Sequence, residues 1–181
     1  PRKRGSLAQK LDPLLEQLGL NTAAELIRLL EASGSSSSIY GQTIESLLAV
    51  DGKFFKGYGA YRYLRETAIP EVMENNKDHK SINIWSAGCG MGEEPYSIAI
   101  SLASSLDTEN YNNIFIDAYD INTKMINIAN SGHYHQQNIK NLSPNQLNFF
   151  DETKKLYKIK KIIKDRITFN HGNILNQRIF K

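Results

Sequence analysis

Along the first fifty residues, leucines alternate with polar residues at helical spacing. Leu7, Leu11, Leu14, Leu15 and Leu18 form one stripe, and Gly19 stands where a left-handed C′ residue would end the helix. Asp12-Pro13 interrupts the stripe and reads either as an N-cap with proline at the first helical position or as a kink. Thr22 and Glu25 have capping-box spacing and predict a second helix over "AAELIRLLEA", closed by Gly34. Serines 35 to 38 predict a loop, and a third short helix is expected from Thr43 to Ala49. Asp51-Gly52 predicts a turn. "FFKGYGAYRYLRETAIPEV" then predicts an aromatic-rich helical segment broken near Pro70, and "NNKDHK" a polar loop.

From Ser81 the period changes. Strands are expected at Ile82–Ser86, Ile114–Tyr119 and within "DRITFNHGN", helices at Glu93–Leu106 and Thr123–Ser131, and a short helix after Ser143-Pro144. Strands alternating with helices predict an α/β fold with a parallel sheet and right-handed crossovers. The expected division is a helical domain over 1–50 and an α/β domain over 51–181. In such sheets ligands lie beyond the carboxyl ends of the strands.

Composition narrows the class. Of 181 residues, 40% are hydrophobic, enough for one good core with a small second domain beside it. Lys plus Arg number 22 against 19 acidic residues, and the net +3 is too mild to demand nucleic acid. The single cysteine, Cys89, excludes an internal disulfide framework and suits a reducing cytoplasm. No apolar run approaches the roughly 20 residues of a membrane span. "PRKRG" leads into Gln9, Lys10 and Asp12, which is no signal peptide. A cytoplasmic protein without membrane insertion is expected.

The chemistry concentrates in "IWSAGCGMGEEPYSIAI", Ile84 to Ile100, which reads as strand, glycine turn and helix start. Gly88, Gly90 and Gly92 alternate, but the third glycine of a dinucleotide fingerprint would fall at Glu93, and no Gly-Lys-Ser/Thr follows for a P-loop. A phosphate at this helix N-terminus would meet Glu93 and Glu94. At an effective dielectric of about 20, one like-charge pair about 4 Å apart costs around 4 kcal/mol. The site therefore favours a nucleoside that lacks phosphates and carries positive charge. S-adenosylmethionine, with its sulfonium and ammonium, fits; NAD and ATP do not. Asp120, at the end of the second strand, suits a ribose diol, and Asn173, after the third, can read an adenine edge.

These residues resemble a family. "WSAGCGMGEEPYSIAI" is similar to the W-S-A-[AG]-x-S-x-G-E-E-P-Y-S-[IL]-A signature of the chemotaxis receptor methyltransferases (CheR). The resemblance continues through "AYDIN", "NIANSGHYHQQNIKNLSPNQLNFF" and "ITFNHGNIL", and backwards through "FFK" to "LAQKLDPLLEQLGL". It implies a small all-helical N-terminal domain before a Rossmann-like class I methyltransferase core. It also implies methyl transfer from S-adenosylmethionine to glutamates of chemoreceptors, with S-adenosylhomocysteine as product. Ser86 to Gly92, with Ala87, Gly88 and Gly90, would wrap the methionine portion and Glu94 would contact the cofactor. Asp120, with Ile121 beside it, would bind the ribose, and Asn173 with Ile174 would flank the adenine.

Three departures stand out. The family's Arg after the Phe pair, a catalytic candidate, is Lys56 here, and its upstream Thr and Asn slots hold Gly52 and Val50. Arg offers a planar fork of donors where Lys offers a point charge. The basic N-terminal stripe that meets the acidic receptor surface is thinned to Arg2, Lys3, Arg4 and Lys10, so another acidic protein is an alternative partner. The family also continues after "NIL" with further strands. Residues 1–181 alone are therefore expected to bind cofactor poorly, show no turnover and self-associate through an open sheet edge. Two readings stay open: a protein-glutamate O-methyltransferase, or a catalytically impaired S-adenosylmethionine-binding adaptor.

The remaining clusters read as structural. Lys154, Lys155, Lys158, Lys160, Lys161, Lys164 and Arg166 have only Tyr157 as an aromatic and read as a solvated face. His133 and His135 lack a Cys or carboxylate to complete a metal set, and Cys89 lacks a histidine partner. The aromatics from Phe54 to Tyr63 read as core.

Overall fold

The computed structural model describes residues 2–34, 37–48, 52–76 and 81–174, with side chains from Leu7 onward except Ala8. Ser35, Ala49, Val50, Asp51, Lys181 and the side chains of Arg2, Lys3 and Arg4 lie outside the described residues. The chain divides into two compact units, Pro1–Val50 and Asp51–Lys181.

The first unit is helical: α1 (Arg2–Leu18), α2 (Ala23–Ser33) and α3 (Ser38–Leu47). Pro13 lies inside α1, which neither starts at Asp12 nor stops there. The proline removes one intrahelical bond, but Leu11 and Leu14 on either side of it are buried with Leu26, and that burial holds the helix together. Gly19, at φ 68, ends α1 with the double bond of a Schellman motif: Leu20 N–H to Leu15 O at 2.8 Å and Gly19 N–H to Glu16 O at 3.1 Å. Helix α3 begins five residues before the expected Thr43, because Ser37 Oγ caps it by accepting Tyr40 N–H at 3.2 Å. Lys10 Nζ donates to Leu47 O at 2.8 Å, so this member of the basic stripe satisfies a carbonyl at the end of α3.

The second unit opens with α4 (Tyr58–Tyr63), a π turn at Leu64–Ala68 and α5 (Ile69–Asn75). The break expected near Pro70 does not occur. The ladder widens instead, Ile69 N–H bonding Leu64 O, and Pro70 falls in the first turn of α5, where its missing N–H costs little.

The α/β part follows as β1 (Ile82–Ala87), α6 (Glu93–Ala103), α7 (Thr108–Asn112), β2 (Ile114–Asp120) and α8 (Thr123–Ser131). Then come β3 (His133–Tyr134), α9 (Gln136–Ile139), α10 (Pro144–Leu147), β4 (Phe150–Glu152), β5 (Tyr157–Ile159), α11 (Lys161–Lys164) and β6 (Ile167–His171). Helix α6 ends three residues before the expected Leu106, and Asp107 caps a separate α7 by accepting Asn110 N–H at 2.8 Å.

The parallel sheet has the order β1-β2-β6, with Ala87 opposite Tyr119 and Asp120 opposite His171. A second sheet, antiparallel β3-β5-β4, has strands of two or three residues, too short for any periodic signal. The core joins Tyr96, Ala99, Ile100 and Leu102 of α6 to Ile114 and Ile116 of β2, and to Phe54, Tyr134, Phe150, Ile159 and Ile163. Of the aromatics expected in the core, Phe54 and Tyr61 are buried, whereas Tyr58 and Tyr63 are exposed. On the opposite face of the parallel sheet Trp85 is 47% exposed and Phe115 42%, with the Arg166 guanidinium over the Phe115 ring.

Candidate functional site

The carboxyl ends of β1, β2 and β6 meet, and backbone bonds tie them. Gly88 N–H and Cys89 N–H both donate to Tyr119 O, at 2.8 and 3.0 Å, and Gly172 N–H, after β6, donates to Asp120 O at 2.9 Å. The glycine turn, Asp120 and the stretch leading to Asn173 and Ile174 therefore share one end of the sheet. Ile121 is half-buried beside Asp120, and its carbonyl lies 3.1 Å from His171 Nε2. Ala87, Asn173 and Ile174 are exposed.

The three glycines differ in what surrounds them. All have positive φ (78, 54 and 92), but a Cβ built on Gly88 or Gly90 would meet nothing within 4 Å. On Gly92 it would lie 3.0 Å from Ala129 Cβ and Tyr134 Oη and 3.1 Å from Tyr96 Cε2. Gly88 and Gly90 face open space, as a ligand cradle requires, while Gly92 lets α6 close on α8. Tyr134 of the small sheet also holds the turn, its hydroxyl donating to Met91 O at 2.6 Å.

Asp120 is more than a free carboxylate at a strand end. Oδ2 accepts Gly90 N–H and Oδ1 accepts Asn122 N–H, both at 2.8 Å. The cap of α8 is Asn122, whose Oδ1 accepts from Lys124 N–H and Met125 N–H. Asp120 therefore clips the glycine turn to the start of α8. Those bonds take about half of a carboxylate's roughly four acceptor positions, leaving room for hydroxyl donors.

The two acidic residues of α6 part company. Glu94 is exposed, and its Oε1 accepts the Ser86 hydroxyl at 2.7 Å. Glu93 is 2% exposed, its Oε1 is buried with no hydrogen bond among the described residues, and burial pushes its carboxyl above the usual range. Cys89 registers the surroundings: burial first, and then the charges of Asp120, Glu94 and Glu93, push its thiol up to about 12. It is no nucleophile at neutral pH.

Residues 52–57 pack against the first turns of α6. Phe55 is left-handed at φ 54, with its N–H donating to Ser97 Oγ at 2.9 Å, and Ser97 in turn donates to Glu93 O at 2.6 Å. Lys56 follows directly and is exposed. Gly52 lies against Glu93, whose carboxylate occupies the space that any side chain at position 52 would need. The sequence set Glu93 beside Glu94 at the ligand end of α6, whereas the structure buries it, and the sequence did not reveal the hydrogen bonds of Ser86 and Ser97. The one available signal was Ser86, a polar residue at the core-facing beat of an apolar strand.

Known sequences place this architecture. Residues 51–181 match the family described as CheR methyltransferase, SAM binding domain. The chain belongs to the CheR methyltransferase family. A chemotaxis protein methyltransferase of Borreliella burgdorferi is 28% identical over 98% of this chain and 64% of its own length. The chemotaxis protein methyltransferase of Escherichia coli is 34% identical over 80% of this chain and 48% of its own length. The chain thus spans roughly half to two thirds of these curated CheR relatives. Among the described residues, no helix is long and apolar enough to cross a membrane.

The basic cluster is partly engaged. Lys161 pairs with Asp165, Lys160 lies 3.9 Å from Asp151, and Arg166 donates to Asn112 O at 2.6 Å, while Lys154, Lys155 and Lys158 are exposed.

Proposed function

We propose that this chain binds S-adenosylmethionine and takes part in methylating glutamate side chains of chemoreceptors, as a cytoplasmic enzyme of chemotaxis adaptation. One observation carries the reading: Glu94 and Asp120 flank a glycine turn whose first two glycines face open space. That arrangement repels phosphates and attracts a cationic nucleoside.

The residues present fit the cofactor. Ala87, Gly88 and Gly90 would line its methionine portion and Glu94 would take its ammonium. Asp120, with Ile121 beside it, would accept the ribose hydroxyls, and Asn173 and Ile174 would flank the adenine. When bound, S-adenosylmethionine supplies an electrophilic methyl on a sulfonium, leaving S-adenosylhomocysteine. A glutamate acceptor, with an ordinary pKa of about 4.3, is already ionised at neutral pH. The chain therefore needs no general base. Its task is to orient the acceptor and exclude water, with the Lys56 ammonium in the place of the family's arginine.

A second reading, a binding module without turnover, draws on the corner at Gly52, where Glu93 fills the space of the family's threonine side chain. Calorimetric titration with S-adenosylmethionine, S-adenosylhomocysteine, NAD and ATP tests the first reading. Binding of the two sulfur nucleosides alone is expected, and a preference for NAD or ATP would overturn it. Asp120→Asn should bind about tenfold more weakly, a loss of about 1.4 kcal/mol. Labelled methyl transfer onto chemoreceptor fragments, or onto another acidic protein, then separates enzyme from module.

A further inference from the structure

Ser86 is the one hydroxyl on the core-facing side of β1, following Ile82 and Ile84 on that side, and it is 2% exposed. A hydroxyl buried there is costly unless it is bonded. Its Oγ donates to Glu94 Oε1 at 2.7 Å, a short bond to an ionisable acceptor eight residues away. The two ends of this bond differ in freedom. Ser86 is immobilised by burial in a strand, whereas Glu94 stands exposed on the first turn of α6, where an unrestrained glutamate samples many rotamers. The bond therefore fixes the direction of Glu94 before any ligand arrives and engages only Oε1.

We infer that Ser86 is a positioning residue: it pre-orients Glu94 for a cationic ammonium at the amino-acid end of the cofactor. This inference rests on the cofactor reading above. It makes Ser86 matter only to ligands that carry the ammonium, because Asp120, which serves the nucleoside end, bonds Gly90 and Asn122 rather than Ser86. Pre-organisation of this kind raises affinity by sparing the ordering of a side chain on binding.

The test compares two ligands on the native protein and four variants. S-adenosylhomocysteine carries the amino-acid end, and 5′-methylthioadenosine is the same nucleoside without it. Ser86→Ala should weaken S-adenosylhomocysteine about tenfold and leave methylthioadenosine within about twofold, as loss of pre-organisation at one end predicts. Ser86→Cys, which keeps the volume but is a poor donor, should show the same selectivity and guards against a folding defect in the alanine variant. Glu94→Gln should weaken S-adenosylhomocysteine further, and adding Ser86→Ala to it should cost little more, since the two residues act as one unit. An equal loss for both ligands, full additivity with Glu94→Gln, or unchanged S-adenosylhomocysteine affinity would overturn the inference while leaving the cofactor reading intact. If the native protein binds neither ligand, both fall.

Discussion

The glycine turn of residues 88–92 leads into α6 and the loop of residues 52–57 packs against its first turns, and both place backbone in the left-handed region. In the turn the positions are Gly88, Gly90 and Gly92, where no Cβ opposes positive φ. In the loop one of them is Phe55, at φ 54, where a side chain costs about 1–2 kcal/mol. The loop is held there from outside. Phe55 N–H bonds Ser97 Oγ, Phe54 meets Tyr134 and Phe150 edge-on at centroid distances of 4.9 and 5.5 Å, and Phe55 packs on Tyr61 at 5.3 Å. The turn thus takes its backbone conformation from its own glycines, whereas the loop depends on neighbours, Tyr61 close by and Ser97, Tyr134 and Phe150 forty residues and more away in sequence.

The largest effect should come from the glycine that is both left-handed and packed. Gly92→Ala combines conformational strain with a clash against Ala129, Tyr134 and Tyr96, and should cost roughly 2–5 kcal/mol by denaturant midpoint. A loss below about 1 kcal/mol would mean that the turn adapts as readily as a loop.

Next comes the anchor of the loop. Ser97→Ala leaves Phe55 N–H without its acceptor and should cost about 1–3 kcal/mol. Amide exchange should quicken at Phe55 while the glycine turn stays protected. Equal quickening in both places would show that turn and loop form one unit. Gly90→Ala sharpens the contrast from the other side: with nothing within 4 Å of the new Cβ, only the left-handed strain of about 1–2 kcal/mol remains.

The smallest effect is pH-dependent and concerns Glu93, which follows the turn and lies against the loop. Burial raises its carboxyl pKa in the folded state. The stability it contributes is therefore fully present below the unfolded value of about 4.3 and is lost as pH rises through the folded value. Against Glu93→Gln, the native chain should look relatively better at pH 5 than at pH 8. Urea midpoints of both forms at the two pH values check this, and a constant difference would show that Glu93 does not titrate in that range.

Local chemistry was readable wherever a short stretch contained its own cause. Helix α8 runs over Thr123–Ser131 as the periodicity predicts, since Asn122 caps it and Gly132, at φ 67, closes it. The same holds for the Thr22 cap of α2, the Schellman end at Gly19 and the strand that feeds the glycine turn. Composition also brought the candidate carboxylates to one place, because parallel strands must end on the same side.

Neighbours distant in sequence decided the rest. Adjacent glutamates on a helix look alike in sequence, yet a rotation of about 100° per residue buries Glu93 under Gly52 and leaves Glu94 to the Ser86 hydroxyl. Asp120 holds both Gly90 and Asn122, which no spacing reveals. The β3-β5-β4 sheet consists of strands too short to carry a period, and they exist because Tyr134, Phe150 and Ile159 are buried in a shared core. Sequence determines which conformations each short stretch tolerates. Burial and pairing across long separations, whose energies belong to no single stretch, select among them.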